Sequence, residues 1–355
     1  MASNDTQSRP RPVLMMPLRR CGSHALRLRL NLSPDFYAPY PLHIIDFMPN
    51  LARYGDLNVD RNYFQLIVDL VALQNASMVR WEDVVLDPVH LFDTLKNRKR
   101  TIHHVIWEML FTAGRQHSAK VVMDKSLDSV EYAHEFFDMF DDMLFLNVVR
   151  DPRAQVASMN KAIIHDFDTL LNAYTWRQAH DKAQDVIKSY PDRVLTIRFE
   201  DFIENEAAVL HKVCEFLGIE FSRSMLDVGN SREAQEISKL SALWESNASK
   251  PIKANMDKFK NTLSDEDILI IETITKDHMK LYGYEFMTPA NATITEKMRQ
   301  TAMDRSTVES AANWRQLQND RPQDYILRRA RADVISQVAR REVGQHNHAK
   351  ITNSR

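Results

Sequence analysis

Short apolar runs alternate with amphipathic stretches along this chain. The runs that predict buried strands are 13–18, 120–123, 144–149 and 194–199, and the stretches that predict helices are 130–140, 170–189 and 204–217. Because strands that alternate with helices form parallel sheets covered on both faces, the pattern predicts an α/β fold with a central parallel sheet flanked by helices. Residues 26–30 stay ambiguous, since Leu-Arg-Leu-Arg-Leu fits a strand while its outer leucines also fit a helix.

The segment 33–119 breaks this alternation. Prolines cluster at its start, and helical runs follow at 64–74 and 103–115. Insertions of this kind commonly build binding pockets. Its aromatic side chains predict a pocket for an apolar or planar molecule, and they are Tyr37, Tyr40, Phe47, Tyr54, Trp81 and Trp107.

Beyond residue 286 the chain becomes polar and helix-prone. Residues 325–343 contain Arg328-Arg329-Ala330-Arg331 and predict an exposed amphipathic helix whose charged face is solvated, the alternative being an arm that forms a homodimer. The domain organisation expected is a flexible N-terminus (1–12), one large domain (13–286) and a helical C-terminal extension (287–355).

An arginine stands where the apolar run 144–149 ends. Asp151 and Pro152 follow Arg150 as the N-cap and first residue of a predicted helix, so Arg150 lies at a strand-to-helix turn. Phosphorylated ligands bind at that edge of open α/β sheets, where free N–H groups and positive helix ends face the anion. Ser158, about two helical turns further on, offers a hydroxyl to the same anion.

A second candidate anion site follows the first strand. The turn after 13–18 contains Arg20 as a fixed charge, Gly22 for close backbone approach and Ser23 as a hydroxyl. Two anion sites indicate a ligand with two anionic groups.

These two motifs resemble those of the sulfotransferases that use 3′-phosphoadenosine 5′-phosphosulfate (PAPS). Residues 20–26 are similar to the family's 5′-phosphosulfate loop, and Arg150 with Ser158 is similar to its 3′-phosphate motif. Weaker matches are 124–126 (Asp-Lys-Ser), 198–202 (Arg-Phe-Glu-Asp-Phe) and 249–252 (Ser-Lys-Pro-Ile). The resemblance spans about residues 13–286 and implies a P-loop-like sulfotransferase fold. It also implies a set of PAPS-binding residues: Arg20, Cys21, Gly22, Ser23, His24, Ala25, Arg150, Ser158 and Lys250.

Three positions depart from the family pattern. Cys21 replaces a serine, His24 a threonine and Phe199 a tyrosine. We expect PAPS binding to survive, because backbone N–H groups supply most of the anion contacts in such loops and histidine also donates hydrogen bonds. The lost hydroxyls leave open a protein that binds PAPS or its product PAP without turnover.

The chemistry implied by the cofactor is in-line sulfuryl transfer, which is analogous to phosphoryl transfer and formally requires no metal. Cations must stabilise the bridging oxygen as the S–O bond breaks. Arg20 and Lys125 are the candidates, the alternative for Lys125 being an ion pair with Asp124 or Asp128.

A general base must accept the proton of the acceptor. His43 is the candidate, with Asp46 as its orienting group, because a histidine titrates near neutral pH. A purely structural role for His43 stays open, and His24, Asp46 and Asp128 are the alternative bases.

Composition narrows the function further. The net charge of −2 over 355 residues gives no sign of a nucleic-acid partner, and two cysteines favour a reducing compartment. Residues 1–12 are polar, so we expect no signal peptide, no membrane anchor and a cytoplasmic enzyme. A P-loop kinase is disfavoured because Gly-x-x-x-x-Gly-Lys-Ser/Thr is absent from the sequence. We therefore expect sulfuryl transfer to a hydroxyl or amine of a small molecule, with peptide tyrosine as the alternative acceptor.

Overall fold

Five parallel strands form the central sheet of the computed structural model, which describes residues 9–241, 243–244, 253 and 256–341. The strands are β1 (Arg11–Met16), β2 (Phe36–Tyr37), β3 (Val121–Asp124), β4 (Leu144–Val149) and β5 (Val194–Arg198). Their order is β2-β3-β1-β4-β5, and every neighbouring pair is parallel. The predicted α/β architecture is therefore confirmed.

Successive residues of β1 enter different cores. Val13 and Met15 pack in one hydrophobic cluster, while Leu14 and Met16 pack in another on the opposite face of the sheet. Because side chains alternate across a strand, an unbroken apolar run is what a strand covered on both faces requires.

The strand limits differ slightly from those predicted. β4 has the predicted bounds, whereas β1 runs from Arg11 to Met16 rather than from 13 to 18. Arg11 pairs with Val121 in the sheet, so residues 11 and 12 belong to the strand and not to a flexible N-terminus. β1 ends before Pro17, which has no N–H to donate to a neighbouring strand.

Helices cover both faces of the sheet. In the described ranges they are α1 (Ser23–Leu30), α2 (Asp60–Asn75), α3 (Pro88–Leu95), α4 (Ile102–Gln116), α5 (Ala133–Met139), α6 (Pro152–Met159), α7 (Thr169–Ser189), α8 (Phe199–Glu204), α9 (Glu206–Leu217), α10 (Arg232–Leu240), α11 (Asp265–Tyr282), α12 (Glu296–Asp320) and α13 (Pro322–Ala339). Of the helices that the structure describes, none is long and apolar enough to cross a membrane.

The ambiguous segment 26–30 is helical and belongs to α1. Arg27 and Arg29 are almost fully buried there, and each pairs with a carboxylate, Arg27 with Glu233 at 2.6 Å and Arg29 with Glu206. Because α9 and α10 supply these carboxylates, the segment is able to bury both arginines as part of a helix. The local sequence pattern does not contain this information, and it therefore fitted a strand equally well.

The C-terminal region is helical, as predicted, but its charged face is not solvated. Arg328 has a side chain only 9% exposed and donates to Asp324, and Arg331 donates to Asp46 at 2.9 Å. Val338 lies in the main hydrophobic core. The interpretation of the charged face of α13 as solvated is therefore wrong for Arg328 and Arg331, which pack on the domain against carboxylates, whereas Arg329 is half exposed and pairs with Asp333.

Candidate active site

The predicted anion-binding residues meet at the carboxyl edge of the sheet. β3, β1 and β4 are adjacent and parallel, so the segments that follow them converge. Arg20 follows β1, Lys125 follows β3, and Arg150 follows β4. The sheet order alone thus brings together three cations from distant parts of the sequence.

Arg20, Arg150 and Ser158 form a connected group. The Nε of Arg20 donates to the Oγ of Ser158 at 3.0 Å, and the Nη1 of Arg150 donates to the carbonyl of Arg20 at 3.0 Å. Burial, followed by repulsion from Arg150, lowers the pKa of Arg20 to about 10. Neither guanidinium forms an ion pair with a carboxylate among the described residues. Two partly buried arginines without carboxylate partners among the described residues are the chemistry of an anion site.

Gly22 allows the first loop to approach its neighbour. Its φ is +92°, and a Cβ at this position would lie 2.1 Å from the ring of Phe199. The same ring lies under Arg150, with the guanidinium carbon 5.1 Å from the ring centroid. Phe199 thus fills the space between the two candidate anion loops.

The remaining loop residues have different surroundings. Ser23 and Ala25 lie in the first turn of α1, where backbone N–H groups are free of helical partners. Cys21 is fully buried, and burial raises the pKa of its thiol. Lys250 lies outside the described residues.

Lys125 is buried without a carboxylate partner among the described residues. Its side chain is within 3.4 Å of the Ser23 hydroxyl, and the residue is 2% exposed. The alternative ion pairs are not formed, because Asp124 accepts from the Ser126 amide and Asp128 accepts from Arg19. Burial, with repulsion from nearby cations, lowers the pKa of Lys125 to about 7.

Two histidines face the same space. The Nδ1 atoms of His24 and His43 are buried and have no hydrogen-bond partner among the described residues. Burial and then the surrounding cations hold both pKa values well below the ordinary histidine value, so both rings are neutral at pH 7. A neutral imidazole with an unpaired nitrogen is able to accept a proton.

Both carboxylates considered as bases are paired with arginines. Asp128 accepts from Arg19 at 2.7 Å, and Asp46 accepts from Arg331. The distance of 4.0 Å between Asp128 and the Nδ1 of His43 is too long for a hydrogen bond. The histidines are therefore the less encumbered proton acceptors of the four.

A cavity of about 440 Å³ opens in front of these groups. It is lined by Arg19, Arg20, Ser23, His24, Tyr40, His43, Asp46, Ser77, Met78, Lys125, Ile164, Leu243, Trp244, Trp314, Arg328, Arg331, Ala332, Ile335 and Ser336. Of the six aromatic residues predicted to line a pocket, only Tyr40 does so.

The other aromatic residues of that prediction lie elsewhere. Phe47, Tyr54, Trp81 and Trp107 belong to the main hydrophobic core, and Tyr37 stacks on His117 at 3.7 Å. The wall that sequence reasoning missed comes from residues 243–244 and from α12 and α13.

Comparison with known proteins identifies the architecture. The model of the sulfotransferase family matches residues 12–223. The sulfotransferase domain of the Synechococcus PCC 7002 olefin synthase is similar, with 21% identity and a TM-score of 0.52 over 79% of this chain and 98% of that domain. The sulfotransferase domain from the curacin biosynthetic pathway is similar with 17% identity and a TM-score of 0.52, over 79% of this chain and all of that domain. No curated protein matches the chain.

Proposed function

The chain belongs to the sulfotransferase family, and from that premise we propose that it transfers a sulfuryl group from PAPS to a hydroxyl or amine of a small molecule, releasing PAP. The observation that carries the proposal is the pair of partly buried guanidinium groups, Arg20 and Arg150, linked by hydrogen bonds with Ser158 and without carboxylate partners among the described residues. A ligand with two anionic groups would supply the missing counter-charge.

The residues at the sheet edge fit such a nucleotide. Gly22 lets the loop backbone pack directly on Phe199 beside Arg150, because the Cβ of any larger residue would meet that ring. Arg150 and Ser158 would hold the 3′-phosphate, and the loop from Arg20 to Ala25 would hold the 5′-phosphosulfate through its N–H groups. The two departures inside that loop, Cys21 and His24, leave this backbone contribution in place.

PAPS supplies a sulfuryl group that leaves by cleavage of an S–O bond in line with the attacking oxygen or nitrogen. Arg20 and Lys125 would stabilise the charge that develops on the bridging oxygen. Lys125 suits this role because it is buried next to Ser23 and has no competing carboxylate among the described residues. A bound anion would hold its ammonium protonated, which burial alone does not.

His43 would accept the proton of the acceptor. His43 lines the cavity together with Lys125, its Nδ1 has no hydrogen-bond partner among the described residues, and its ring is neutral at pH 7. His24 stays the alternative base for the same reasons. The cavity volume of about 440 Å³ favours a small molecule over a peptide, and the two buried free cysteines favour a reducing, cytoplasmic compartment. A homodimer through the C-terminal helices stays a prediction.

The direct test is calorimetric titration with PAP in the presence of EDTA, followed by transfer of labelled sulfate from PAPS to a panel of small hydroxyl compounds. We expect tight PAP binding without metal, and label in product only when the acceptor is present. Titration with ATP and Mg²⁺ is the control for a kinase-like site. Failure to bind PAP refutes the proposal, whereas PAP binding without transfer to any acceptor points to a binding protein.

A further inference from the structure

Helices α12 and α13 form part of the wall of the cavity. Trp314 of α12 and Arg328, Arg331 and Ile335 of α13 all line it. These helices lie beyond residue 223, where the match to the family model ends. The wall that they form is therefore a feature of this chain outside the part that identifies its family.

Specific contacts fix this wall against the loop that carries His43. The Nη2 of Arg331 donates to the carbonyls of Leu42 and His43 at 2.9 and 3.0 Å, and its Nη1 donates to Asp46. Near the end of the described chain, Arg341 pairs with Asp69 of α2, with one contact at 2.9 Å. The wall and the candidate base thus keep a defined spacing.

The part of the cavity next to α12 and α13 is called the acceptor side below. The charged side chains there are already paired. Arg331 pairs with Asp46, Arg328 with Asp324, and Arg19 with Asp128. The cations without a carboxylate partner among the described residues, Arg20 and Lys125, line the same cavity and are the ones proposed to contact the donor. An anionic acceptor would therefore compete with the donor for these two cations, since the arginines of the wall are already paired.

The rest of the acceptor side is mostly apolar. Its larger side chains are Tyr40, Met78, Trp244, Trp314 and Ile335, together with Ile164, and the hydroxyls are those of Ser77 and Ser336. Such a surface gains from burying an apolar body, and it gives a polyhydroxylated molecule few partners for its buried hydroxyls.

We infer that α12 and α13 select the acceptor, and that the acceptor is an uncharged, largely apolar hydroxyl compound whose size is limited by Trp314 and Ile335. The inference deepens the proposed function and rests on it. His43 and Ile335 line the same cavity, and Arg331 of α13 holds the His43 backbone, so a body packed against Ile335 would lie near the candidate base.

Binding of two matched probes tests the inference. They are 2-naphthol, which is uncharged at pH 7, and 6-hydroxy-2-naphthoate, which adds only a carboxylate, each titrated in the presence of PAP. We expect 2-naphthol to bind at least about tenfold more tightly. Ile335→Trp, which fills the cavity, should weaken 2-naphthol at least about tenfold. Ile326→Trp is the control, because Ile326 is on the same helix, 62% exposed and outside the cavity lining.

A second variant covers the case in which Ile335→Trp does not fold. Ile335→Ala enlarges the cavity and should shift the preference from 2-naphthol toward the larger 1-hydroxypyrene. Equal binding of the two naphthalene probes, no probe binding by the wild type, or equal effects of the two tryptophan substitutions overturns the inference. PAP titrated alone separates the two proposals, since loss of PAP binding with intact probe binding refutes only the donor assignment.

Discussion

Replacing Arg150 with alanine should remove nucleotide binding and leave the fold intact. The guanidinium is buried, and burial lowers its pKa. It has one hydrogen bond, to the carbonyl of Arg20, and one ring contact, with Phe199. It forms no ion pair with a carboxylate among the described residues, so its removal leaves no buried acid unpaired.

The structure gives the size of the effect on folding stability and of the effect on nucleotide binding. The lost hydrogen bond costs about 1 kcal/mol and the lost cation–π contact about 0.5–1 kcal/mol. Relief of repulsion between Arg150 and Arg20 offsets part of this cost, so the free energy of unfolding should fall by no more than about 2 kcal/mol. Loss of a bidentate, charge-assisted contact to a phosphate should cost about 2–4 kcal/mol of binding, which is roughly 30- to 900-fold in Kd.

The assay is calorimetric titration with PAP, paired with urea unfolding of the same preparations. Arg150→Lys keeps the charge but not the planar fork, so its affinity should lie between those of the wild type and the alanine variant. A folded Arg150→Ala protein with wild-type PAP affinity would place the 3′-phosphate elsewhere. A protein that no longer folds would show that the ring contact with Phe199 is structural.

Three further predictions concern other residues of the site and its support. Arg153→Ala should destabilise the fold by about 3 kcal/mol in urea unfolding, since it removes the cation that donates to the fully buried Glu272 at 2.7 Å, while the hydrogen bonds from Met287 and Thr288 to that carboxylate remain. Binding of PAP at pH 8 should take up a proton, because the free Lys125 has a pKa of about 7 and is mostly neutral there, while a bound anion raises that pKa. Calorimetry in two buffers of different ionisation enthalpy measures the uptake, which Lys125→Met should abolish. His43→Ala should lower kcat by about 10²- to 10⁴-fold with little change in PAP affinity. The wild-type rate should fall with acid only well below pH 6.5, since the base acts when neutral and its pKa is depressed, and a normal rate in folded His43→Ala would transfer the role to His24.

Strands were predictable where an apolar run ends abruptly. β4 has its predicted bounds because all six of its residues are buried and Arg150 terminates the run. β2 was missed because a strand of two residues, Phe36 and Tyr37, carries no periodicity. The helix α3 was missed although Asp87 caps it before Pro88, the same signal that Asp151 and Pro152 give for α6.

The anion site was predictable because its parts are local motifs at strand ends. The acceptor wall was not, because Arg331 and His43 are 288 positions apart and nothing in either segment indicates the other. Helical spacing did hold one signal. Arg328 and Arg331 lie three residues apart on one face and are mostly covered, while Arg329 lies on another face and pairs with Asp333 at an exposed site. The arginines of this charged run therefore lie in two different environments, which the composition of the run does not distinguish.

The backbone of the site explains why two arginines matter beyond their charge. Arg20 and His43 both have positive φ values, 70° and 49°, a conformation that costs a residue other than glycine about 1 kcal/mol or more. In each case a guanidinium from another element donates to the carbonyl of the strained residue, Arg150 to Arg20 and Arg331 to His43. The loop that carries Arg20 is thus held by an arginine that follows β4, and the loop that carries His43 is held in the same way by an arginine of α13. Arg331, which holds the His43 backbone, belongs to the C-terminal extension. The position of the candidate base therefore depends on helices outside the family match, and the shape of the cavity depends on the same helices.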